Sequence, residues 1–95
     1  MITQQVKSQL SLFKIAENSS ESPEARIEAV KGLSDQNYLS LIAKSSDDWR
    51  IRRVAVNCLV LPAILRKIIR KDENEEVKRA AQKRLKELKN TVLKN

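Results

Sequence analysis

Three basic side chains, Arg26, Arg52 and Lys78, stand 26 residues apart. A cation repeated at a fixed step could form a ladder for phosphate groups. It could equally be spent inside the fold, on acidic or backbone groups between neighbouring units. A second set, Arg50, Arg53, Asn57, Arg79 and Lys83, falls at helical steps and is expected to face away from the core. Beside it stands Trp49, a residue type enriched at protein-binding hot spots; its ring could instead cover a loop between units. Arg66-Lys67 and Arg70-Lys71 place four cations in six residues, a density that binds phosphates through counterion release. Phe13, Tyr38 and Trp49 are the only rings, so base stacking is nearly unavailable and phosphate contact without base reading is the most the composition supports.

Catalytic chemistry finds little material. The chain has no His, which removes the commonest general base near neutral pH. With a single cysteine, Cys58, it offers neither a disulfide framework nor a transition-metal site. Cys58 is expected to be a half-buried structural thiol. The paired carboxylates Asp47-Asp48 and Glu75-Glu76 fall at expected helix starts, where the helix dipole favours them, and read as caps rather than acid–base dyads. No enzyme activity, cofactor, metal or small-molecule substrate is therefore expected. No run approaches the roughly 20 apolar residues of a membrane span, and residues 1–5 lack the basic-then-apolar pattern of a signal peptide. A cytoplasmic protein without a membrane partner is the expectation. The net charge of +7 is uneven. Residues 1–43 hold four basic and five acidic side chains, whereas residues 44–95 hold fifteen and seven. Such asymmetry fits an anionic partner or a well-solvated surface.

The elements that carry these residues follow from an internal repeat. Ala25-Arg26, Ile51-Arg52 and Val77-Lys78 each open a nine-residue block with Ala at offset 4 (Ala29, Ala55, Ala81) and Leu at offset 8 (Leu33, Leu59, Leu85). Offsets 0, 4 and 8 share one helix face. Twelve residues before each block lies another helical signature, at Phe13-Ala16, Leu39-Ile42 and Leu65-Ile68. Ser22-Pro23, Asp35, Asp47-Asp48, Pro62 and Asp72-Glu73-Asn74-Glu75, in which Asp72 and Glu75 have the Asp-x-x-Glu spacing of a capping pair, punctuate them as helix starts. The spacing predicts helices near 2–17, 23–33, 36–44, 48–59, 62–70 and 74–93. They form one domain over 1–95, with repeat cores 13–33, 39–59 and 65–85. The first helix is expected to bury a stripe of Ile2, Val6, Leu10 and Phe13. The last continues with Leu85, Leu88 and Val92, a stripe that can fold over the open end or meet a second copy of the chain as a homodimer.

These blocks resemble HEAT repeats, whose second helix opens with a Val-Arg or Ile-Arg pair and continues with Ala and then Leu. The resemblance covers about residues 10–90, and at 26 residues the unit is shorter than the usual one of about 40. It implies an all-α solenoid of three stacked antiparallel helix pairs, with second helices lining a concave surface and first helices facing the convex side. In that family an Asp six residues before the Arg often forms a ladder between repeats. Asp72 stands so before Lys78, but Ser20 and Ser46 occupy the other two positions, which makes the ladder incomplete. Such stacks serve many ends, so the fold does not choose a function. The expected function is a protein-interaction or scaffold module. It would bind another protein with an acidic surface through the second helices at Trp49, Arg50, Arg53, Asn57, Arg79 and Lys83. The alternative is sequence-independent nucleic-acid binding through phosphates by the basic C-terminal half.

Overall fold

The computed structural model describes residues 7–94, and the side chains of 7–91. Among them every regular element is helical: α1 (Gln9–Glu17), α2 (Pro23–Lys31), α3 (Gln36–Ser45), α4 (Trp49–Cys58), α5 (Pro62–Lys71) and α6 (Glu75–Lys94). None is long and apolar enough to cross a membrane.

The starts are set by the punctuation in the sequence. Ser22 accepts from the Ala25 amide, with Pro23 at the first turn. Asp35 accepts from the Asn37 and Tyr38 amides, and Asp48 from that of Arg50. Each cap satisfies donors that a helix start would otherwise leave unpaired. Two expectations need correction. The first helix begins at Gln9, capped by Ser8, rather than near residue 2. In this helix Leu12, Phe13, Ile15 and Ala16 meet the core while Leu10 stays 48% exposed. Ile2 and Val6, the rest of the expected stripe, lie outside the described residues, as does the Val92 side chain. At α6, Asn74 rather than an Asp72–Glu75 pair supplies the cap; its Oδ1 accepts from the Glu76 and Val77 amides at 2.8 and 3.1 Å.

Packing follows the 26-residue period position by position. Leu39 and Leu65 are fully buried, as are Ile51 and Val77, and Leu33 and Leu59 close the same face. Each helix packs on the other of its pair, and α4 also packs on both α2 and α6. The first helices α1, α3 and α5 touch their counterparts only briefly, so the tighter side of the stack is that of the second helices. The described chain is a slab of 45 × 34 × 18 Å, whose thin dimension suits two helix layers set about 8–10 Å apart. Where the first helices do meet, Phe13 and Tyr38 stack with centroids 4.4 Å apart.

The turns between pairs are clasped by glutamine. Gln9 Oε1 accepts from the amides of Ser34 and Asp35 at 2.8 and 2.9 Å. Gln36 Oε1 likewise accepts from the Val60 amide at 2.9 Å, while its Nε2 donates to the Cys58 carbonyl at 3.3 Å. The corresponding position in the third pair is Pro62, which has no such side chain, and there the second helix continues instead of turning. Along that continuation Leu85 and Leu88 pack against the chain's own core.

Ala29, Ala55 and Ala81 are 4%, 0% and 0% exposed. A larger side chain at the middle one has no room to turn outward. Ala55→Leu is expected to destabilise the protein by roughly 1–3 kcal/mol through overpacking, read as a lower denaturant midpoint at unchanged helical signal.

Candidate functional site

The three periodic cations are absorbed by the fold. Arg26 is 5% exposed; its Nε donates to the Ala16 carbonyl at 2.8 Å and its Nη2 to Asp47 at 3.1 Å. Arg52 grips Asp72 through Nε at 2.9 Å and Nη2 at 3.2 Å, and its Nη1 donates to the Ser46 carbonyl at 2.7 Å. The acid of each rung thus comes from the turn of the following pair, not from the turn before the Arg's own helix. This corrects the expected incomplete ladder: both junctions between described pairs carry a rung, and an acid before Arg26 is not needed. Lys78 has no such rung and pairs with Glu75 within α6 at 3.7 Å.

The outward face of α4 and α6 carries the expected binding set. Arg50, Asn57, Arg79 and Lys83 are exposed, and Trp49 and Arg53 half-buried. They do not form one field of positive charge. Arg50 is held by Asp48, Nε to Oδ1 at 3.1 Å and Nη2 to Oδ2 at 2.8 Å. Arg79 meets Glu76 one turn away at 3.3 Å. Arg53 lies over the Trp49 ring, its guanidinium carbon 5.3 Å from the centroid, a cation–π geometry. Asn57 and Lys83 make no side-chain hydrogen bond or ion pair among the described residues. Trp49 packs at the edge of the core and walls an open cleft of about 650 Å³ between the 19–23 turn and the start of α4.

Other sequence candidates fall elsewhere. Cys58 is half-buried, and burial pushes its thiol pKa up, which keeps it protonated and weakly nucleophilic. Asp47 and Asp48 part company: the first completes the Arg26 rung and the second caps α4. Among the described residues no cluster of His, Cys, Asp or Glu could hold a metal ion. Arg66, Lys67, Arg70 and Lys71 all lie exposed on α5, away from the second-helix face. What sequence reasoning missed is the pairing within the face. Glu76 to Arg79 is legible as an i,i+3 step. Asp48 to Arg50 is not a helical step and arises because Asp48 is the extended cap residue.

No family model, curated protein or solved structure matches the chain.

Two outcomes test this geometry. The Arg52 and Asp72 side chains are only 17% and 6% exposed. Losing one partner leaves the other charge without an answer, at a cost of about 3–5 kcal/mol. Arg52→Met and Asp72→Asn together should cost less than the sum of the two alone, read from a double-mutant cycle in denaturant. At Asp48, the hydrogen bond from Arg50 holds the carboxyl below the usual carboxylate range. A depressed folded-state pKa means stability that is present above the unfolded pKa and lost as pH falls through the folded one. Asp48→Asn keeps a capping side chain, so the advantage of the native protein over this variant should hold at neutral pH and fade in acid.

Proposed function

We propose that the chain is a HEAT-like interaction module that binds another protein through the α4–α6 face, with Trp49 and Arg53 at the centre of the contact. The observation that carries this reading is the Arg53 guanidinium stacked on Trp49, on a face whose neighbouring cations Arg50 and Arg79 already have carboxylate partners. With Arg50 and Arg79 paired, fewer of the face's cations are free to pull on a polyanion. What the face offers is shape and an aromatic–Arg anchor, the pair of residue types most enriched at protein-binding hot spots. Arg53, Asn57 and Lys83 add donors that suit a partner with carboxylates around an apolar centre. The concave curvature expected of a HEAT-like stack would present this face to a convex partner. A single cysteine, which offers no disulfide within the chain, suits the reducing environment of the cytoplasm.

The experiment is affinity capture from nuclease-treated lysate, comparing the native chain with Arg53→Glu and with Trp49→Ala/Arg53→Ala. The expected result is a protein retained by the native chain and reduced about tenfold or more by either variant, the loss of roughly 1.4 kcal/mol or more that a hot-spot pair represents. Arg53→Glu alters only a half-buried surface residue, so an unchanged circular dichroism spectrum separates loss of binding from loss of fold. Retention of the same proteins by both variants would sink the reading.

A further inference from the structure

We propose that the opposite side of the slab, formed by α3 and α5, is a docking surface for the phosphate backbone of duplex nucleic acid, engaged without base reading. Five exposed cations lie there: Lys44 on α3 and Arg66, Lys67, Arg70 and Lys71 on α5. None makes an ion pair or side-chain hydrogen bond among the described residues, and neither helix contains an acidic residue. The carboxylate nearest in sequence, Asp72, is consumed: it takes both Arg52 bonds and the Asn74 amide, and only 6% of its side chain is exposed. Glu73, in the turn beyond α5, is exposed. The second helices differ in degree: Arg53, Lys83, Lys86 and Lys89 have no carboxylate partner among the described residues, but most of the other cations do. There Lys31, Arg50, Arg52, Lys78, Arg79 and Arg84 each have a carboxylate within 3.7 Å.

The helices bring these cations into an array. Lys44, Lys67 and Lys71 converge from two elements on one cleft of about 230 Å³, which Ile68 and Asp72 also line. Arg66 with Arg70, and Lys67 with Lys71, form two i,i+4 rows whose members stand about 5–6 Å apart at Cβ. Like charges held this close repel one another, and in the free protein only counterions answer them. A ligand with regularly spaced anions replaces those counterions and releases them.

The surroundings select the kind of anion. With Phe13 and Tyr38 stacked on each other and Trp49 under Arg53, no ring is free at this face to stack an unpaired base. The exposed apolar residues of α3 and α5 are Leu41, Pro62 and Ala63, of which only Leu41 is large, too little apolar surface for insertion into lipid. A stiff duplex, with phosphates at fixed steps and its bases already stacked, needs neither.

The test is titration of a labelled 20-base-pair duplex, in two unrelated sequences, between about 50 and 200 mM salt. Five phosphate contacts give a slope of log K against log salt near −4.5, hence an affinity loss of about 500-fold across that range. The two sequences should agree. Arg66→Gln/Lys67→Gln/Arg70→Gln/Lys71→Gln keeps good helix formers in α5 and should reduce the slope to about −1. Arg53→Glu should leave it unchanged, which separates this surface from the protein-binding face. Lys67→Glu/Lys71→Glu, checked by circular dichroism, gives a second reading should the fourfold variant lose its helical signal. A native slope shallower than about −2, binding retained by the α5 variants, or binding to anionic vesicles but not to duplex would each overturn the proposal.

Discussion

The helices α1 to α5 are nine or ten residues long. In water an isolated helix shorter than about 12–15 residues is marginal, because nucleation costs more than so few hydrogen bonds return. Each of these helices therefore exists only by burying a face on its neighbours, and everything else in the molecule serves that contact. The caps spare the helix ends from unpaired amides, the small alanines admit the neighbours, and the 26-residue step repeats the arrangement until the apolar faces are covered.

Polar contacts at the junctions then fix how the pairs sit on one another. Hydrophobic burial is non-directional and would tolerate many stacking angles. The Arg26–Asp47 and Arg52–Asp72 rungs and the Gln9 and Gln36 clasps select one. Each ties a side chain of one pair to the turn that leads into, or belongs to, the next. A clasp of this kind satisfies two backbone groups of a turn, each bond contributing about 0.5–1.5 kcal/mol.

Fold and register were legible because they rest on periodicity. Leu33, Leu59 and Leu85, or Ile51 and Val77, keep the same place in each unit, and three copies of one spacing leave little freedom. The start of α1 was not legible: Ile2, Val6 and Leu10 continue a helical step through Ser8, and apolar spacing alone cannot weigh a serine cap against it. The rungs are hidden in the sequence because the acid lies not in the Arg's own unit but in the next one, at Asp47 and Asp72. Gln9 and Gln36 carried no signal in charge or hydropathy. Their only trace was position at the start of a first helix and the loss of that residue at Pro62. For the candidate face, outward direction followed from helical geometry. Its partial neutralisation did not, since whether Arg50 turns toward Asp48 depends on the conformation of a cap. The same composition thus divides into a partly compensated face on α4 and α6 and an uncompensated one on α3 and α5, a division that net charge conceals.

The rungs and clasps join only adjacent pairs, and this has a dynamic consequence. No rung or clasp among the described residues commits the whole stack at once, so partial opening is a graded event. Releasing α1 and α2 breaks the Arg26 rung and the Gln9 clasp while the Arg52–Asp72 junction stays shut. Amide exchange in such an architecture proceeds through separate sub-global openings rather than a single cooperative one. The middle pair, held from both sides, should be the slowest to exchange its protons.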